Sequence, residues 1–271
     1  MGSPKAALEW HGSTLLRRTV GLLSRSVDGP VVVVRAPGQA LPTLPAGVEV
    51  LDDPAEGRGP LQGLAVGLTA VADRAGTAFL CSTDLPFLHV AYVRRVVRAL
   101  DPAAHDLPPY EIVLPHIHGF RQPLAAAYST SLAPLVTALV TDGIIKPKLL
   151  LDRSRTLVLD EAALLEDAAL RAADPELDSV VNLNEPADYA AARARPAPLV
   201  TVQRFGVLAS GGHRGERQVR VATLAEAADA VGLALDRYVL AAVNGDQTGR
   251  DPELPLVAGD VVAFLSADAG G

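Results

Sequence analysis

The sequence predicts an α/β protein followed by a small α+β domain, and three observations predict it. Short apolar runs (Val31-Val32-Val33-Val34, Val48 to Leu51, Ala78-Phe79-Leu80-Cys81) alternate with helical patterns. That alternation is the grammar of a mostly parallel sheet with crossover helices. Pro196-Ala197-Pro198 then reads as a stiff linker. Beyond it the order becomes strand, strand, helix, strand, strand. The expected domains are therefore residues 1–196 and 199–271.

Each element has a local reason. From Ser13, the residues Leu15, Leu16, Val20, Leu22 and Leu23 recur at helical spacing, with Ser13 or Thr14 as N-cap. Gly29-Pro30 ends that helix, and Val31 to Val34 is a buried strand. Val48 to Leu51 is a second strand, ending at Asp52-Asp53. Glu56-Gly57-Arg58-Gly59-Pro60-Leu61-Gln62-Gly63 is a glycine-rich turn opening a helix through Leu64, Leu68 and Val71. The run Ala78 to Cys81 reads as a strand buried on both faces of a parallel sheet, followed by a helix through Val93, Val96, Val97 and Leu100. Glu111 to Leu114 and Leu124 to Tyr128 are expected strands, Ser129 to Val140 a helix, Lys146 and Lys148 a polar loop, and Thr156 to Leu159 a strand. Val180-Val181 is expected as a strand running through Asn182-Leu183-Asn184-Glu185 into the helix Ala187 to Arg195, with Pro186 near its first turn. After the linker, Leu199 to Phe205 and Arg217 to Val221 form a hairpin, Thr223 opens a helix, Leu240 to Gly245 is a strand running into a turn, and Asp260 to Leu265 is the last strand.

Composition narrows the function classes. The 271 residues are 49% hydrophobic, 20% charged and only 4% aromatic, so the cores must be built from Ala, Val and Leu. A net charge of −7 offers no basic footprint for nucleic acid. No apolar run reaches the roughly 18 residues of a membrane span, and no signal peptide opens the chain. A single cysteine, Cys81, cannot form an internal disulfide, which fits a reducing cytoplasm. Within an apolar strand, Cys81 is expected to pack rather than react.

Asp84 follows the Ala78–Cys81 run after Ser82-Thr83, and ligands of open α/β sheets bind beyond the carboxyl ends of the strands. A carboxylate there could be a hard oxygen ligand for phosphate-bound Mg2+. The competing reading is that Asp84 caps the next helix, with Pro86 at its start. His116 and His118, two apart, could share one side of a strand and suggest a metal, but no third His or Cys ligand stands nearby.

Four segments, in order, resemble the MobA-like nucleotidyltransferases of molybdenum cofactor biosynthesis. Met1-Gly2-Ser3-Pro4-Lys5, with Leu8-Glu9 and Gly12, looks like the second half of the family's glycine-rich signature. Asp53 with Gly59-Pro60-Leu61-Gln62-Gly63 resembles the nucleobase-reading segment. Asp84-Leu85-Pro86 matches the acidic metal motif, and Asn182-Leu183-Asn184-Glu185-Pro186 the closing Asn-x-Asn-x-Pro motif. The resemblance implies a Rossmann-like nucleotidyltransferase domain that transfers guanylyl from GTP to the molybdenum cofactor. In it Lys5 would neutralise the triphosphate and Asp84 would hold Mg2+. Asp53, Gly59, Pro60, Leu61 and Gly63 would face guanine, Arg35 would touch the nucleotide, and Asn182 and Asn184 would hold acceptor or metal-bound water.

The family's phosphate cradle, Gly-Gly-x-Ser-x-Arg, and the strand before it would precede Met1. The expectation is that Met1 is an internal methionine of the signature; the domain as written would be unstable or inactive. Val243-Asn244-Gly245, Gly259 to Leu265 and the terminal Gly270-Gly271 resemble the MoaD/ThiS sulfur carriers, ubiquitin-like β-grasp proteins. That resemblance implies a Gly270-Gly271 carboxylate that carries sulfur into molybdopterin. Its partners would be a MoeB/ThiF-like adenylating enzyme and the molybdopterin synthase large subunit. Two other readings stand beside this one: a carrier with a degenerate first domain, or a nucleotidyltransferase with another acceptor.

Overall fold

The computed structural model describes residues 5–54, 57, 59–101, 109–209 and 215–267. Met1 to Pro4 of the signature, Glu56 and Arg58 of the glycine-rich turn, and Gly270-Gly271 lie outside the described residues. The chain divides into two compact units, Met1–Leu22 with Leu183–Gly271, and Leu23–Asn182.

Lys5–Ala7 is a 3-10 turn leading into β1 (Glu9–Trp10) and β2 (Ser13–Thr14), an antiparallel pair. Residues Ser13 and Thr14 are therefore strand before α1 (Leu15–Ser26), with Thr14 Oγ1 accepting from the Arg17 N–H at 3.3 Å. The helical pattern is confirmed by burial of Leu15, Leu16, Val20 and Leu22.

In the unit Leu23–Asn182, β3 (Val32–Arg35) pairs in parallel with β4 (Glu49–Asp52), and α2 spans Pro60–Val71. Next come β5 (Thr77–Cys81), α3 (Val90–Arg98), β6 (Ile112–Ile117), β7 (Phe120–Arg121) and β8 (Ala125–Ser129). They are followed by α4 (Ala133–Thr141), α5 (Lys148–Arg153), β9 (Thr156–Leu159), α6 (Glu161–Leu165) and α7 (Ala168–Ala173). The larger sheet has the order β5-β8-β6-β7, with β9 beside β6. Only β6–β9 is parallel in it; the β5–β8, β6–β8 and β6–β7 pairs are antiparallel.

The expectation of a mostly parallel sheet is thereby corrected to mixed sheets. The reason is topological: β8 returns from β6 by way of β7 and inserts between β5 and β6. β5 is antiparallel to β8, and all five of its residues are half-buried, where burial on both faces was expected. The strands that do run through the core are β6 and β8. Ala126 and Tyr128 pack with Leu61, Leu64 and Leu68 of α2 and Val136 and Leu139 of α4. On the neighbouring residue, the Ala125 carbonyl accepts the Tyr92 hydroxyl of α3 at 2.9 Å. The alanines of β8 let helices approach closely while each buried leucine contributes about 1.5–3 kcal/mol.

Three further expectations change. Lys148 is the first residue of α5, not part of a loop. His118 has φ 53, in the turn between β6 and β7, so it does not share a strand with His116. Val180 closes a 3-10 turn, Asp178–Val180, where a strand was expected, because Leu177 is left-handed (φ 54) and starts that turn.

In the other unit, α8 (Pro186–Arg193) starts with the Asp188 carboxylate accepting the N–H groups of Asn184 (3.0 Å) and Glu185 (2.8 Å). Then come β10 (Leu199–Arg204), β11 (Glu216–Arg220), α9 (Leu224–Asp229), β12 (Val239–Val243), β13 (Asp246–Thr248) and β14 (Val261–Ser266). They form one sheet in the order β11-β10-β14-β12-β13, with β10–β14 parallel and the rest antiparallel. Leu224, Ala227 and Ala228 of α9 pack on Val200, Val202, Val262 and Phe264. The N-terminal segment belongs to this body. Arg17 pairs with Asp251 at 2.6 Å, Ser13 donates to Glu253 at 2.8 Å, and a Cβ on Gly21 would stand 2.5 Å from Pro255.

Candidate active site

Asp84 lies in the loop after β5, half-buried, with Ser82 Oγ donating to its Oδ1 at 2.6 Å. Buried Leu85 and Leu88 pin the loop beneath it. The helix-capping reading of Asp84 is set aside by geometry. The cap of α3 is His89, whose Nδ1 accepts the Ala91 N–H at 3.1 Å, and the helix starts only at Val90. Burial, and secondarily the nearby Asp84 carboxylate, push the Cys81 thiol above its ordinary pKa, which favours the protonated thiol.

Arg35 and Asp53 meet through the backbone, the Asp53 N–H donating to the Arg35 carbonyl at 2.7 Å. The Arg35 guanidinium is paired with Asp52 at 2.7 Å and donates to the Gln39 carbonyl at 3.1 Å. Sequence reasoning missed both partners. The Asp52 pairing could have been found from strand register, since a parallel β3–β4 sets Arg35 opposite Asp52.

Gly59 has φ 73 and precedes Pro60, the first residue of α2. A side chain there would be strained, and its Cβ would stand 3.3 Å from the Ile145 carbonyl oxygen. Pro60 suits a first helical turn, whose N–H groups have no intrahelical partner. Leu61 is buried in the core; Gly63 has open space around it.

Asn182 and Asn184 are exposed on either side of buried Leu183, which anchors the motif. Lys5 is half-buried, and its carbonyl accepts from the Leu8 N–H at 3.1 Å. Arg35, Asp53, Gly59, Pro60, Leu61, Gly63, Asp84 and Asn182 belong to the unit Leu23–Asn182, whereas Lys5 and Asn184 belong to the other.

Among the described residues no group of three or more His, Cys, Asp or Glu side chains converges to hold a metal. The His118 backbone N–H donates to Glu161 at 2.6 Å. The Asp84 carboxylate and Ser82 hydroxyl are hard oxygens two residues apart in one loop. They fit Mg2+, which takes one or two carboxylates and completes its shell with water and substrate phosphates. Among the described residues no helix is long and apolar enough to cross a membrane.

The chain belongs to the MobA-like NTP transferase domain family, whose match spans residues 1–157. It is a nucleotidyltransferase. Within that class it is 42% identical over 162 residues to the "Probable molybdenum cofactor guanylyltransferase" of Mycobacterium tuberculosis (strain ATCC 25618 / H37Rv), covering 58% of this chain and 75% of the relative. The protein of the same description from Mycobacterium ulcerans (strain Agy99) is 39% identical over 171 residues, 61% of this chain and 80% of the relative. In fold, the chain is similar to the crystal structure of molybdopterin-guanine dinucleotide biosynthesis protein A from Archaeoglobus fulgidus. The TM-score is 0.53 at 20% identity, over 71% of this chain and 90% of that one.

Proposed function

We propose that the chain transfers guanylyl from GTP to molybdenum-molybdopterin cofactor. A phosphate oxygen of the cofactor attacks the α-phosphorus of GTP, a P–O bond forms to the cofactor, and the bond to the departing pyrophosphate breaks. The observation that carries this reading is Asp84, released from helix capping and supported by Ser82 at the end of β5. The descriptions of the mycobacterial relatives supply the nucleotide and acceptor.

The protein's part is positioning and charge neutralisation. Asp84 would hold Mg2+, which when bound neutralises triphosphate oxygens. Lys5 would add a cation to the triphosphate. Asp53 would accept the N1–H and N2–H2 edge of guanine, with Gly59, Pro60, Leu61 and Gly63 forming the floor beside it. Arg35, fixed by Asp52, would contact the nucleotide, and Asn182 and Asn184 would orient acceptor or water. Cytoplasmic placement is part of the same proposal.

For residues 199–271 the proposal is a β-grasp sulfur carrier ending in Gly270-Gly271. The favouring observation is a five-stranded mixed sheet whose parallel pair, β10–β14, is flanked by antiparallel strands and covered by α9. A MoeB/ThiF-like adenylating enzyme and the molybdopterin synthase large subunit would be its partners. The test is pyrophosphate release from GTP in the presence of Mg2+ and molybdenum cofactor. Turnover that Asp84→Ala abolishes and deletion of Gly270-Gly271 leaves intact supports the transferase; turnover indifferent to Asp84→Ala overturns it.

A further inference from the structure

Two segments assigned to the proposed site, the Asp84 loop and the approach to Asn182, are far apart in sequence but share one buried junction. Asp174, only 7% exposed, ends α7, and its carboxylate accepts the N–H groups of Asp178 (2.8 Å) and Ser179 (3.0 Å). Its Oδ2 also accepts the Ser179 hydroxyl at 2.6 Å. Ser179 is completely buried, and its Oγ in turn accepts the backbone N–H of His89 at 3.1 Å. His89 is the residue that caps α3.

The hydroxyl thus works in both directions: it donates its proton to Asp174 and offers a lone pair to His89. A local turn needs only the first bond. The second reaches 90 residues along the chain to the loop that carries Asp84. His89 lies five residues after Asp84, and Ser179 three before Asn182. Leu85 and Leu88 on one side and Val180 on the other are buried. Apolar packing alone would leave them free to slide; the hydrogen-bonded junction sets their register.

We propose that Asp174 and Ser179 are positioning residues, a buried bridge that fixes the Asp84 loop relative to the segment entering Asn182 and thereby tunes the Mg2+·GTP site. The inference rests on the guanylyl-transfer reading for its ligand, though not for the bridge itself. Groups behind a metal ligand orient it, and removing one characteristically weakens metal affinity by about 10–100-fold.

The test uses the full chain carrying Ser179→Ala, with Asp174→Asn as the second variant and Ser179→Thr as the conservative replacement. Amide exchange of residues 85–93, measured without ligand, is expected to quicken by about tenfold or more in Ser179→Ala, while the strands β6 and β8 keep their protection. Calorimetric titration of Mg2+ in saturating GTP is expected to show affinity lowered about tenfold, with the Ser179→Thr hydroxyl restoring part of it. If Ser179→Ala does not fold, Asp174→Asn, which keeps the side-chain shape but loses charge, is expected to show the same two changes. Unchanged exchange in residues 85–93 overturns the bridge. Altered exchange with unchanged Mg2+ affinity overturns its role at the site. A wild-type chain that takes no Mg2+·GTP instead overturns the guanylyl-transfer reading, and the exchange measurement still decides the bridge.

Discussion

Asp84 and Asp260 both flank strands of apolar sequence, one after β5 and one before β14, and their surroundings differ. Asp260, 3% exposed just before β14, is bound into its own turn. Its Oδ1 accepts the Asn244 side-chain N–H at 2.8 Å, and its Oδ2 accepts the Val257 N–H at 2.8 Å. Asn244, left-handed at φ 56, returns an acceptor to the Val261 N–H at 2.8 Å. Asp84 is half-buried, is supported by a hydroxyl, and caps no helix. The Asp260 carboxylate is held by donors of its own turn, whereas Asp84, in the loop beyond a half-buried strand, carries the proposed ligand role.

Exchanging charge for amide at the two positions is the strongest way to break this comparison. Asp84→Asn is expected to lower turnover by roughly 10²–10³-fold, the scale for loss of a preorganised charge partner, with little change in melting temperature. Asp260→Asn is expected to do the reverse. It should lower unfolding free energy by about 2–3 kcal/mol in a urea titration, since buried donors lose their acceptor, and leave GTP affinity intact. Equal effects of the two variants on turnover would erase the distinction.

Gly59→Ala sharpens it at the backbone. The left-handed φ and the 3.3 Å approach to Ile145 predict a loss of about 1–2 kcal/mol together with a raised KM for GTP. Stability loss without a change in KM would make Gly59 purely structural. The smallest expected effect is at His11, in the turn between β1 and β2. Burial, then the Arg18 cation, hold its pKa below the ordinary histidine value, against a smaller opposing pull from Glu226. The folded state therefore binds the proton less readily than the unfolded one. Its stability contribution is present above the ordinary histidine value and is lost as the pH falls through it. Urea midpoints between about pH 7.5 and 5 should decline less steeply in His11→Asn, whose side chain tolerates the same positive φ.

Much of this was legible in the chain. Helical spacing located α1, α2 and α3, and the valine runs located β3 and β4, because burial on one face or in a sheet imposes a period on sequence. The segment Gly59-Pro60 announced its turn because backbone stereochemistry is local. Other features were not legible. The run before Asp84 has the composition of a strand buried on both faces, yet β5 is half-buried and antiparallel to β8. Nothing in Ala78 to Cys81 encodes which strand lies beside it. Similarly, Val180-Val181 has strand propensity, but left-handed Leu177 starts a 3-10 turn that takes in Val180, with the Asp174 carboxylate accepting the Asp178 N–H. His116 and His118 were two apart on paper, and a positive φ at His118 separated them.

By itself the sequence determined the α/β character, the positions of the helices, the turn chemistry and the residue types available at Asp53, Asp84 and Asn182. Those depend on side-chain period and backbone stereochemistry, which act over a few residues. Tertiary structure alone decided the mixed strand order, the pairing of Arg35 with Asp52, the release of Asp84 from helix capping, and the junction of Ser179 with His89. Each of these joins groups whose proximity is set by how packed elements meet, and a hydrogen bond reaching 90 residues leaves no periodic trace in the chain.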